Sequence, residues 1–151
     1  MSDPLFDSAS ARFALPFLFA GQAQKEGHVN ESLARIDAAL HPAIEGELAA
    51  PPASPGEGQS WLVGSSPSGA WTGHAGHLAS YAGGNWLFIA PRDGLRVLDR
   101  ATGQDMRYHG TWKLAARPAA PSGGTTIDSE ARAAVTALIT ALTTAGILST
   151  T

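Results

Sequence analysis

His74 and His77 stand three residues apart in "GHAGHL", a spacing at which two imidazoles can share a metal ion. A metal centre needs three or four converging ligands, each oriented by further hydrogen bonds. Glycines flank both histidines and no carboxylate is close in sequence, so the pair reads as loop histidines and no metal is expected. The stretch "GSSPSG" (64–69) approaches the G-x-S-x-G nucleophile elbow, but Ser68 takes the place of the second glycine, and it reads as a turn. No G-x-x-x-x-G-K-[ST] loop is present to cradle a phosphate. The 13 acidic residues are scattered, without the paired carboxylates and aromatic cleft of a glycosidase. Without cysteine, thiolate chemistry and disulfides are excluded. The sequence predicts no enzyme and no cofactor.

The aromatic residues offer binding chemistry instead. Trp61, Trp71, Trp86 and Trp112, with Tyr81 and Tyr108, all lie in one stretch. Trp61 and Trp86 sit within apolar runs and are expected in the core. Trp71, in "SGAWTGHAG", has few local packing partners. For Trp71 and Trp112 two readings stand: core residues, or flat faces for a sugar ring, where apolar area and hydrogen bonding coexist.

The elements that would position these groups follow from punctuation and periodicity. Two Pro/Gly/Ser-rich stretches, "AAPPASPGEG" (49–58) and "ARPAAPSGGTT" (116–126), read as loops. Before them, Val29, Leu33, Ile36 and Leu40 recur four, three and four apart, one apolar face of a short helix with Asn30 as its cap. Between them, "SWLVG", "HLASYA", "NWLFIA", "LRVLD" and "MRYHGTWKL" read as short strands. Gly83-Gly84 signals a two-residue hairpin and "DRATGQD" a longer one. "WLFI", apolar on both faces, is expected as a central strand. Strands at this spacing predict a small antiparallel sheet or barrel.

The last segment is helical. Asp128 is a good N-cap, and Ala131, Val135, Leu138, Leu142 and Ala145 alternate four and three apart. Gly146 fits the position just past the helix, with Ile147 packing back on Leu142. Such a seam can lie on its own sheet or meet the same seam in other copies. Charged residues are only 15% of the chain against a typical ~25%. That poverty of charge favours contact with protein over water, and makes Val135, Leu138 and Leu142 a candidate oligomer interface.

The expected class is therefore α+β. Residues 1–27 form an N-terminal arm, 28–114 a short helix plus a β-rich antiparallel domain, 115–127 a linker, and 128–151 an oligomerising helix. The net charge of −3 gives no basic stripe for nucleic acid. No apolar run approaches the ~20 residues that span a bilayer, so no membrane is expected either. "FALPFLFA" is too short and its leading segment, with Asp3 and Asp7, too acidic for an export signal. Pro16 disfavours helix at Leu15. Phe13, Leu15, Phe17, Leu18 and Phe19 then read as an extended arm that docks on a partner, the competing outcome being an arm folded back on its own domain.

Residues 15–98 resemble a domain family of unknown function found in prophage and gene-transfer-agent proteins. The matching features are Pro16, Gln22-Ala23-Gln24-Lys25, Asn30-Glu31, Leu33, Asp37, Pro51-Pro52, Gly58, Gly69-Ala70-Trp71, Gly73-His74, Gly84 with Trp86, Pro91-Arg92 and Gly94. The C-terminal helix is similar to those closing phage fibre proteins. The resemblance implies a part of a tail fibre or head spike, made in the cytoplasm and assembled into a phage-like particle (virion). It would be a homo-oligomeric base or adaptor touching other copies of itself, a capsid or tail protein, and a spike or fibre protein. Docking on the particle would fall to the arm. The alternative is a carbohydrate-binding module recognising cell-surface polysaccharide through Trp71 and Trp112.

Overall fold

The computed structural model describes residues 9–18, 21, 26–125 and 128–150. Helix α1 (Glu26–Ala39) leads into two very short strands, β1 (Ala43–Ile44) and β2 (Glu47–Leu48). β3 (Ser60–Val63), one 3-10 turn (Gly69–Trp71), β4 (Leu78–Ala82) and β5 (Asn85–Ile89) follow. β6 (Arg96–Asp99), β7 (Gln104–His109), β8 (Thr111–Lys113) and helix α2 (Ser129–Thr144) complete the α+β chain.

The strands form two four-stranded sheets, β1-β6-β7-β8 and β2-β3-β4-β5. Both are mixed, not purely antiparallel, because β1 and β2 each add in parallel to a strand made later, β6 and β3. The segment 43–48 thus crosses from one sheet to the other. Leu98 and Arg100 donate backbone N–H bonds to Pro42 and Ile44 on one side, and Leu62 donates to Gly46 on the other.

Alternation along β3 sends Leu62 to one face and Trp61 and Val63 to the opposite one. Ile44, Leu62, Leu78, Val97 and Met106, backed by Ile89, Leu95 and Trp112, fill the space between the sheets. Trp112 reaches across it, and its indole N–H donates to the Gly76 carbonyl at 2.9 Å. Sheet two also has an apolar outer face, built from Trp61, Val63, Trp71 and Ala79 with Trp86 and Phe88 against them. "WLFI" is therefore not a central strand. β5 is an edge, and β3 is the strand buried on both faces. The edge is capped from α1, where the Arg35 guanidinium donates to the Phe88 carbonyl at 2.9 Å, one way of blunting an open strand.

Gly83 and Gly84 both adopt left-handed φ (58° and 76°), as a type I′ hairpin requires, and join β4 to β5 with Ala82 opposite Asn85. The longer turn pairs Asp99 with Gln104. The run "MRYHGTWKL" is two strands, broken at Gly110.

Candidate functional site

Three surfaces carry the residues singled out in the sequence. The first is the arm. Asn30 does not cap α1, which already begins at Glu26. Its side chain holds the arm instead, accepting from Leu18 N at 2.8 Å and donating to Leu18 O at 2.9 Å. Seven residues along the same face, buried Asp37 accepts from Ser10 Oγ (2.7 Å), Arg12 N (3.0 Å) and Phe13 N (2.6 Å). The Arg12 guanidinium donates to the carbonyls of Asp37, Ala38 and His41, placing a cation at the negative end of the α1 dipole. Residues 9–18 thus fold back along α1 of their own chain. Phe13 stays exposed, Leu15, Phe17 and Leu18 are half-buried, and Phe19 lies outside the described residues. A cavity of about 520 Å³ remains between arm, α1 and the β4–β5 hairpin, lined in part by Phe17, Asp37, Glu57 and Asn85.

This arrangement turns α1 away from the expected orientation. Among the described residues Asp37 and Ala38 are its buried ones and Leu33 is half-buried, whereas Val29, Ile36 and Leu40 are exposed, Ile36 with 48% of its surface open.

The second surface is the aromatic cluster. Trp71 is fully buried (0% exposed), so its ring has no free face for a sugar. It stands edge-on to Trp86 at 5.1 Å and tilted against Trp61 at 6.5 Å. The loop that carries it is a series of tight turns, in which Gly69, Gly73 and Gly76 take left-handed conformations. The backbone N–H groups of Trp71, Thr72, His74 and His77 each donate to the carbonyl three residues earlier. The two histidines are consequently held in place. His74 stacks flat on Phe88 at 3.6 Å and meets His77 edge-on at 5.3 Å. Among the described residues no group of three or more His, Cys, Asp or Glu could hold a metal ion. Trp112 is half-buried, engaged through its N–H and packed edge-on to Tyr108 at 5.3 Å.

The third surface is α2. Asp128 caps it, accepting from Ala131 N at 2.9 Å. A Schellman stop ends it, with Ile147 N donating to Leu142 O and Gly146 N to Thr143 O. The segment after it is tied into sheet one. Buried Gln104 donates to both Ala115 O and Ile147 O at 2.7 Å, Asp105 N donates to Gly146 O, and Thr150 N to Thr102 O. The helix is therefore fastened at its C-terminal end. Ile139 and Leu148 are buried there, but along residues 129–138 every residue except Arg132 is exposed. Val135 is 41% and Leu138 60% open, while Leu142 is half-buried near the fastening.

Residues 29–113, over half the chain, match the model of a family described as protein of unknown function, DUF2793. The chain belongs to the DUF2793 family. The match runs from α1 through β8, so it takes in both sheets and leaves the arm and α2 outside. No curated protein matches this DUF2793 chain. Among its described residues no helix is long and apolar enough to cross a membrane.

Proposed function

We propose that this chain is a structural component of a phage-like particle, a spike or fibre base or adaptor that self-associates through α2 and carries a receptor-binding element. The observation behind the reading is the bare seam of Val135 and Leu138, over helical turns that no other described element covers. A helix of 16 residues is marginal alone in water and gains most of its stability by packing a face. Its only charges, Glu130 and Arg132, lie in the first turn, so the face suits a second uncharged helix. The resemblance of "GQAQK" and "GAW" to prophage and gene-transfer-agent sequences supplies the particle.

Removing residues 128–151 would be a poor test, because Leu148 and Thr150 belong to the packing of sheet one. The double substitution Val135→Glu, Leu138→Glu leaves that fastening intact. Light scattering should give an oligomer for the natural chain and a monomer for the variant; a monomeric natural chain overturns the self-association. Immunoblotting of purified particles should find the chain in them, and its absence overturns the particle assignment. The carbohydrate-binding alternative, having lost Trp71 to the core, rests on Trp112 alone.

A further inference from the structure

The outer face of sheet one holds a line of like charges. Arg96, Arg107 and Lys113 are all exposed, and the register sets Arg96 opposite Arg107 and Arg107 opposite Lys113. Neighbouring strands lie about 4.8 Å apart, so the three cations cross the sheet in one row. Like charges directly opposite each other destabilise a sheet. None of the three takes part in a salt bridge among the described residues. Of the acids near the row, Asp93 is already held by Gly110 and His109, and Asp105, exposed two residues from Arg107 on the same face of β7, lies opposite Leu98. The row ends at β8, beyond which the described residues supply no further strand.

We propose that the open edge of β8 is a docking strip for an extended acidic segment of another protein, added as a further strand. Such a segment gains backbone hydrogen bonds from the edge and selectivity from side chains at alternate positions. Its residue opposite Lys113 would continue the row, where a carboxylate gains Lys113 as its direct cross-strand neighbour and a lysine would add a fourth like charge. A second copy of β8 would bring its own Lys113 and Arg107, and is rejected by the same charges, as lysines on sheet edges commonly do. The proposal does not depend on the particle assignment or on α2.

Fluorescence anisotropy with the whole chain and a labelled ten-residue peptide of alternating Glu and Thr tests it. Binding is expected, with loss on raising the salt. The double reversal Arg107→Glu, Lys113→Glu should weaken that binding about tenfold and confer binding to the Lys/Thr counterpart, which also shows that the variant is folded. A peptide N-methylated at alternate positions should not bind, because strand pairing is blocked. The idea is overturned if the acidic peptide fails to bind, if reversal leaves binding unchanged, or if the N-methylated peptide binds equally well. Tighter binding of a sulfated polysaccharide than of the peptide, insensitive to N-methylation of the competitor, would also overturn it.

Discussion

Asn30 grips the backbone of Leu18 with both halves of its amide, as a neighbouring strand would, at 2.8 and 2.9 Å. Together with Asp37 it makes one face of α1 a receptor for the chain's own arm. The arm's polar backbone groups thereby find partners without a sheet, which buried or half-buried backbone requires.

Arg12 reports on that contact directly, since its guanidinium must leave three carbonyls before trypsin can reach it. Asp37→Ala leaves two backbone N–H groups and the Ser10 hydroxyl without their acceptor, at a cost of about 1.5–3 kcal/mol for bonds to a charged group. Cleavage after Arg12, followed by mass spectrometry, should be slow in the natural chain and accelerate at least several-fold in Asp37→Ala. Equal rates would show that the fold-back is not populated in solution.

Trp71→Ala should cost about 3–5 kcal/mol of stability in urea titrations, the range for truncating a buried tryptophan. Trp71→Phe should cost less, because the edge-on packing against Trp86 survives and the buried indole N–H, which finds no hydrogen-bond partner among the described residues, is removed. A near-neutral Trp71→Ala would return the residue to the surface.

Gln104 should control how firmly α2 is held. Gln104→Leu keeps the bulk but strips donors from Ala115 O and Ile147 O, for roughly 1–3 kcal/mol. Amide hydrogen exchange should quicken selectively at Asp105 and along the end of α2, with β3 and β4 unchanged. Uniform loss of protection would mean that the joint holds up the whole domain.

Acid should loosen the β7–β8 hairpin. The Gly110 backbone N–H, 2.8 Å from Asp93, and the nearby His109 ring and Arg107 hold the Asp93 carboxyl below its ordinary range. A carboxylate with a depressed folded pKa stabilises above the unfolded value, and that contribution fades as the pH falls below about 4. Asp93→Asn should therefore lower thermal stability at neutral pH and flatten its decline below pH about 4. An unchanged acid limb would exclude the contribution.

Local signals made much of this fold legible. The Gly83-Gly84 pair marked the β4–β5 hairpin, short β-branched and aromatic runs marked β3 to β7, and Gly146 marked the end of α2. β1 and β2 escaped notice because two residues carry no periodicity; they are strands only by virtue of partners at 98–99 and 62–63. The 4-3-4 spacing of Val29, Leu33, Ile36 and Leu40 identified a face of α1 without saying what it met. Asn30 and Asp37 turned the helix toward the arm, since the arm's amides needed acceptors and donors. Trp71 looked lonely in its glycine-rich surroundings because Trp61 and Trp86 reach it only through the sheet. Spacing named Val135 and Leu138 as one face of α2, and both stand exposed with no described element over them.

The crossing segment 43–48 has a consequence for the order of synthesis. All strands of sheet two exist once residue 89 is made, whereas β1 must wait for β6, and the core around Ile44 for Val97, Met106 and Trp112. At 5–20 residues per second that gap lasts roughly one to five seconds. During it, the inner faces of Leu62 and Leu78 stand without their lid on the ribosome. Each sheet holds one strand of a single continuous segment, so a split made anywhere between β5 and β6 should yield two halves that stay soluble only when produced together.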